Sequence, residues 1–264
     1  MKKLRISYAI AGLLLVVAGA VSATPIDYSI WNNWGGVWAE AEKTSTNMED
    51  DLMCWAAAAS NVLEWTGWSK VAGLTTTDQM FAYFQNHWTD EGSLMEYGWE
   101  WWFSGTYSGP IESGWSQPDV QGGGFYPSRN LYDYFHEMWD PPQALSAIDQ
   151  YLHSGYGTTL AVCFSDSGHA ITCWGFQYDT DSPGYYTGIY VSDSDDDKNG
   201  DSPRPDTLRY YEVKSIGGIW YLQNFYGTNK WHIEGVQSLT APEPTTICLL
   251  TMGLLAFLKK KRQL

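Results

Sequence analysis

Three segments of the chain carry side chains whose types and spacing suit nucleophilic chemistry. In Asp51-Leu52-Met53-Cys54-Trp55-Ala56-Ala57 a cysteine stands at the opening of an alanine-rich run. A thiol at a helix N-terminus meets the positive end of the helix dipole and unpaired backbone N–H groups, and both favour thiolate over thiol. The alternative is a buried structural cysteine, a common occupant of such positions. In Ser167-Gly168-His169-Ala170-Ile171-Thr172-Cys173-Trp174-Gly175 a histidine opens a strand directly after a turn, so its ring projects over the sheet edge toward a cleft. Gly188-Ile189-Tyr190-Val191 reads as the next strand and ends in Ser192-Asp193-Ser194-Asp195. If these strands are antiparallel neighbours, His169 and Asp193 share one edge, where a carboxylate holds the imidazole in its useful tautomer. Thiolate, base and orienting acid form a complete set for attack on a carbonyl.

The elements that must position this set follow from local pattern. Four successive alanines, Ala56 to Ala59, with Val62 and Leu63 predict a helix over Cys54 to Trp65 whose small side chains allow close packing. Asp50 or Asp51 is placed to cap it. Shorter helices are expected over Thr77 to His87, Ser128 to Met138 and Pro141 to His153, the last opening on prolines suited to a first turn. Strands are expected over Thr158 to Phe164, His169 to Tyr178, Tyr185 to Ser192, Asp206 to Val213 and Ile219 to Phe225. Helices first and strands later indicate an α+β fold, a helical part carrying the nucleophile packed on an antiparallel sheet. Trp88 to Tyr126, rich in tryptophan and tyrosine, reads as irregular loops pinned by aromatic packing and bordering a cleft.

Composition narrows the function. The chain has 264 residues, with 30 acidic against 15 basic side chains. Seven of the basic residues lie at the ends (Lys2, Lys3, Arg5, Lys259, Lys260, Lys261, Arg262), leaving 8 basic and 29 acidic residues over 24–240. A body this acidic repels phosphate backbones, so nucleic acid is excluded as an expected partner. Residues 1–23 combine a basic start, an apolar stretch from Ala9 to Val21 and small residues at Val21-Ser22-Ala23, the layout of a secretory signal peptide. Residues 24–240 then suit one domain. At the far end Ala241-Pro242-Glu243-Pro244 precedes an apolar run, Ile247 to Leu258, and the basic cluster from Lys259. Export makes cysteine pairing relevant. With Cys248 in the tail, Cys163 and Cys173, flanking a turn-rich stretch, are candidates to pair across adjacent strands, and Cys54 is the thiol left over.

Two resemblances add to this reading. The tail, residues 241–264, resembles the PEP-CTERM sorting signal of Gram-negative bacteria. That implies processing by an exosortase at the inner membrane and a secreted or cell-surface location. The order Cys-Trp-Ala, Gly-His-Ala and an acid after the next strand resembles papain-like cysteine peptidases, and more closely the IgG-degrading streptococcal (IdeS, or Mac) endopeptidase family. The matching blocks are Asp50 to Trp65, His169 to Asp179 and Ile189 to Asp195, about a fifth of the chain. The resemblance implies a papain-like α+β fold and a cysteine endopeptidase acting on a protein or peptide substrate. In it Cys54 is the nucleophile, His169 the general base and acid, Asp193 its orienter and Asp195 a second supporting acid. Papain-like enzymes carry a glutamine where this chain has Met48. The IgG-degrading family uses an upstream lysine instead, matched by Lys43, eleven residues before Cys54, beside the Cys54 N–H. IgG itself is not implied, since the exosite segments do not match.

Two competing readings remain. Asp195, Asp197 and Asn199, with Gly200 and then Asp206, fit the ligand spacing of a calcium loop, although Pro203 and Pro205 interrupt it; a solvated acidic turn is the alternative. No other cofactor is indicated. The rival to an enzyme is a surface or biofilm-matrix polysaccharide-binding protein, with Trp31, Trp34, Trp38 and the Trp99-Trp101-Trp102 cluster as stacking platforms, although core packing is the commoner use of such residues.

Overall fold

In a computed structural model of the chain the described residues are 25–43, 50–106, 122–179, 185–195 and 206–242. The expected signal segment, nearly all of the sorting tail, and positions 196–205 of the calcium loop lie outside them. The elements run β1 (Ile26–Ser29), α1 (Ile30–Trp34), α2 (Cys54–Thr66), α3 (Thr77–His87), α4 (Met95–Ser104), β2 (Phe135–Met138), α5 (Ala144–His153), β3 (Gly157–Phe164), β4 (Ser167–Asp179), β5 (Tyr185–Ser192), β6 (Arg209–Ile216), β7 (Ile219–Leu222) and β8 (His232–Leu239). No helix among the described residues is long and apolar enough to cross a membrane.

The strands correct the expected fold. β3, β4, β5, β6, β7 and β8 each pair antiparallel with the next, and β8 pairs back onto β3, closing a six-stranded barrel. The architecture is therefore a closed antiparallel barrel with few helices, not the papain-like α+β arrangement of a helical nucleophile part on a sheet. Closure depends on β8, a strand that local pattern does not announce. Its Gln237 and Ser238 are fully buried, where an amphipathic strand carries apolar side chains. The backbone carbonyl of Gln237 takes the Thr159 hydroxyl at 3.0 Å. A register shift between Ala161 and Val162 opposite β8 bends the ladder. Gly235 sits at that bend, where a Cβ would lie 2.3 Å from the Trp139 ring.

Two apolar cores flank the site. The barrel interior gathers Leu160, Val162, Ile171, Ile189 and Val191, capped by the apolar face of α5. The second core joins α2, α3 and α4 to Ala170 of β4 and Leu239 of β8. Along β4, Ala170 faces this helical core while Ile171 faces the barrel, the alternation a strand imposes. α2 is buried on nearly every side: Trp55, Ala56 to Ala59, Val62 and Leu63 are at most 3% exposed. Each fully buried large apolar side chain there contributes about 1.5–3 kcal/mol.

Other expectations change as well. Trp88 to Tyr126 is not all loop: α4 forms with Gly98 inside it, because a Cβ there would lie 2.7 Å from Trp55. Ser128 to Met138 holds a short 3-10 turn over Leu131–Asp133 and then β2, which pairs with β8. The candidate Cys163–Cys173 pair is not bridged: both thiols are free. Cys163 lies opposite Gly168 and Cys173 opposite Thr158. Five residues along one strand put the two cysteines about 17 Å apart on opposite faces, well beyond disulfide reach.

Candidate active site

The register of β4 and β5 builds one half of the site. Thr172 pairs with Ser192, so His169, three residues before Thr172, and Asp193, one residue after Ser192, meet at the same rim of the barrel. His169 Nε2–H donates to Asp193 Oδ1 at 2.7 Å, with both side chains buried. Asp193 Oδ1 also accepts the Asp195 N–H at 3.1 Å. The Asp193 N–H donates to buried Glu40, whose other oxygen accepts the Thr207 N–H at 2.9 Å. Glu40 thus ties the segment before α2 to both ends of the 193–207 stretch.

α2 supplies the other half. Cys54 is its first residue, where no intrahelical carbonyl is available to the N–H. The His169 ring and the Ala170 N–H both act on its sulfur and stabilise the thiolate. With Nε2 committed to Asp193, Nδ1 is the ring nitrogen left for the thiol. Burial pushes the Cys54 thiol up, but the His169 cation, its hydrogen bond, Lys43 and the Ala170 N–H together outweigh that and hold it below the ordinary thiol value. Burial likewise opposes the His169 cation, yet Asp193 and then Cys54 raise it to about 10. Burial raises the Asp193 carboxyl, and His169, the Asp195 N–H and Tyr226 bring it net below the usual carboxylate range. The consistent state is thiolate, imidazolium and carboxylate in a row.

The remaining residues singled out from sequence are also here. Lys43 is 2% exposed. Its ammonium donates to the Asp51 carbonyl at 2.7 Å and pairs with Asp195 Oδ1 at 2.8 Å. It does not line the cleft, so the geometry gives it a clamp between the loop entering α2 and the Asp195 turn. Asp195 Oδ2 stands 3.8 Å from His169 Nδ1. The α2 N-cap residue is Met53, which makes no side-chain cap bond, and Asp50 accepts from Gln85 Nε2 at 3.0 Å.

A cleft of about 690 Å³ opens between the helical core and the barrel rim. Cys54 and His169 lie in its floor, and Leu52, Leu94, Trp139 and Trp231 form much of its wall. Trp99, Trp101 and Trp102, considered as stacking platforms, are 0% exposed and belong to the helical core. For metal, Glu40, Glu42 and Asp206 bring one carboxylate oxygen each within 4.8 Å of one another. Both Glu40 oxygens already accept backbone N–H groups, so the trio reads as a hydrogen-bonded acidic junction.

One residue has no counterpart in the sequence reading. Tyr226, in the turn between β7 and β8, places its hydroxyl 2.9 Å from Asp193 Oδ2 and 3.2 Å from both Asp193 Oδ1 and His169 Nε2. Nothing local marks it among 18 tyrosines. Compared with protein-family models and with curated proteins, the chain matches none.

Proposed function

We propose that this protein is a cysteine endopeptidase that cleaves peptide bonds through Cys54, His169 and Asp193. The observation that carries the reading is the placement of a helix-terminal thiol and of His169, hydrogen-bonded to buried Asp193 at 2.7 Å, on the lining of one cleft. A structural cysteine has no need of such a placement. The lowered thiol and the raised imidazole support a resting thiolate–imidazolium pair, the form a thiol nucleophile requires.

In this reading the Cys54 thiolate attacks the peptide carbonyl carbon and the C=O π pair moves to oxygen. The Cys54 N–H, free of any intrahelical acceptor, stabilises that oxyanion, with the Lys43 charge behind it. Collapse re-forms the carbonyl and breaks the C–N bond, and the His169 Nδ1 proton passes to the departing amine. A thioester to Cys54 remains. Water then gives a proton to neutral His169 as it attacks the thioester, and the acid product leaves as the thiolate–imidazolium pair is restored. Asp193 keeps Nε2 protonated throughout, so Nδ1 does the proton transfer. The apolar wall of the cleft suits an extended polypeptide carrying bulky apolar side chains.

The termini extend the proposal: a signal segment over 1–23 and a sorting tail over 241–264 support a peptidase working at the cell surface or outside it. An exosortase would be the processing partner at the inner membrane. The test is alkylation of the full-length protein with limiting iodoacetamide near pH 6, with mass-spectrometric mapping and His169→Ala as control. Rapid labelling confined to Cys54 and lost with His169 is expected, and a peptide-library screen follows. Labelling that ignores His169 would sink the reading.

A further inference from the structure

We infer that the Tyr226 hydroxyl is a positioning group for the His169–Asp193 pair, holding the carboxylate by both oxygens and withholding part of its charge from the imidazole. The inference rests on the peptidase reading of the same site and adds a component to it.

Two independent observations carry it. The first is the bond geometry: Asp193 Oδ2 takes its hydrogen bond from Tyr226 at 2.9 Å, while Oδ1 is shared among His169, the Asp195 N–H and the Tyr226 hydroxyl at 3.2 Å. The hydroxyl therefore bridges the carboxylate and fixes its rotation about the bond to Cβ. With its ring end buried and two carboxylates near, the Tyr226 phenol is pushed far up, so it acts as a donor throughout the working pH range.

The second is the backbone that delivers it. Tyr226 has φ 48°, a left-handed conformation in which a bulky residue is an outlier, and Asn224 and Gly227 at φ 59° and 71° share the turn. An isolated Phe225–Thr228 bridge and the Asn224 N–H to Asn229 Oδ1 contact at 2.6 Å hold the strained turn in place. Strain of this kind persists where surrounding structure fixes it, and it clusters at functional sites. The Tyr226 ring packs on Phe225 and Trp231, and its edge meets the His169 ring at 5.8 Å.

A donor to a carboxylate lowers that carboxylate's hold on any other proton. Asp193 alone binds the imidazolium so firmly that His169 becomes a reluctant acid toward the leaving amine. Tyr226 moderates that grip while keeping the geometry. The groups facing the imidazole are Cys54 from α2, Asp193 and Asp195 after β5, and Tyr226 itself, with Lys43 behind Asp195.

The experiment is an NMR titration of full-length protein carrying 13C-labelled histidine, with the His169 signal assigned by its loss in His169→Ala. Tyr226→Phe removes the hydroxyl and keeps the ring contacts. Its His169 midpoint should move upward by about half a pH unit or more, while the other four histidines stay in place. On any peptide the protein cleaves, kcat should fall several-fold with KM unchanged. A midpoint that stays or moves down overturns the inference, because a purely structural tyrosine would lower melting temperature without raising it. If the unmutated protein already titrates His169 at an ordinary value and alkylates Cys54 slowly, the peptidase reading falls with it. An activated pair that Tyr226→Phe leaves unmoved removes only the role of Tyr226.

Discussion

Asp193→Asn keeps the shape of a side chain that is 1% exposed and changes only its charge and its acceptors. The native carboxylate receives three donors: His169 Nε2–H at 2.7 Å, the Asp195 N–H at 3.1 Å and the Tyr226 hydroxyl at 2.9 Å. An asparagine offers one acceptor oxygen, so its NH2 is forced against a donor. The expected destabilisation is about 1–3 kcal/mol. The larger effect is on the imidazole, because burial alone disfavours its cation and Asp193 leads the groups that raise it to about 10 from 6.5. A return to the ordinary value is worth about 5 kcal/mol as an upper bound, since the Cys54 thiolate shares in that stabilisation. At pH 6 to 7 the pair then reverts largely to neutral thiol and imidazole. Alkylation of Cys54 by iodoacetamide at pH 6 should slow by about one to two orders of magnitude, and recover as the pH approaches that of an ordinary thiol. Rates measured from pH 5 to 10 on both proteins give the answer. If the asparagine variant keeps the parent profile, Asp193 does not control the pair and the argument from geometry to charge state is wrong.

Lys43→Met removes the buried ammonium that pairs with Asp195 and donates to the Asp51 carbonyl; a loss of about 3 kcal/mol is expected in chemical denaturation, with slower alkylation of Cys54 at pH 6 because a charge that lowers the thiol is gone. Asp193 is held below its ordinary 3.8 when folded. Its stabilisation is therefore present above 3.8 and lost as the pH falls through the folded value, so Asp193→Asn should lose less stability between about pH 5 and 3 than the parent protein does. Cys173, buried and pushed up to about 12, and Cys163, raised by burial and Glu234, should resist limiting reagent in the native state. All three described cysteines should label once denatured without reductant, and a disulfide between Cys163 and Cys173 in the mass map would contradict the strand register. Gly235→Ala pushes a methyl into the Trp139 ring; a cost of about 1–3 kcal/mol and altered Trp139 fluorescence are expected, and unchanged values would mean the ring moves freely.

What the sequence discloses follows from how far apart the interacting parts lie. The alanine run marks α2, and the apolar segments after residue 157 mark β3, β4 and β5, because short-range periodicity is sufficient for each. The meeting of His169 with Asp193 is also legible, since one antiparallel connection brings them together. Barrel closure is not legible, because it depends on β8 returning to β3 some 70 positions later through Gln237 and Ser238, whose burial only the partner strand explains. α4 is hidden by Gly98, a poor helix former retained because Trp55 leaves no room for a Cβ. Lys43 is found by its neighbours in sequence, but its partners, Asp51 and Asp195, are matters of three-dimensional placement. Tyr226 has no local signal at all, since its position depends on a left-handed turn that its residue type disfavours.

The division of the site between two apolar cores has a consequence for the nascent chain. Cys54 belongs to the helical side, and His169 with its acid belongs to the rim of the barrel. In a chain that has folded only one of these, the thiol has no imidazolium beside it and lacks the charge that lowers it in the folded protein. The thiolate–imidazolium pair thus requires both cores to be docked. A half-synthesised or misassembled copy then carries only an ordinary thiol, slow to react at acidic pH. Two separately expressed fragments, one ending before β3 and the other beginning there, should each alkylate slowly near pH 6, and rapid labelling of Cys54 should appear only when they are mixed.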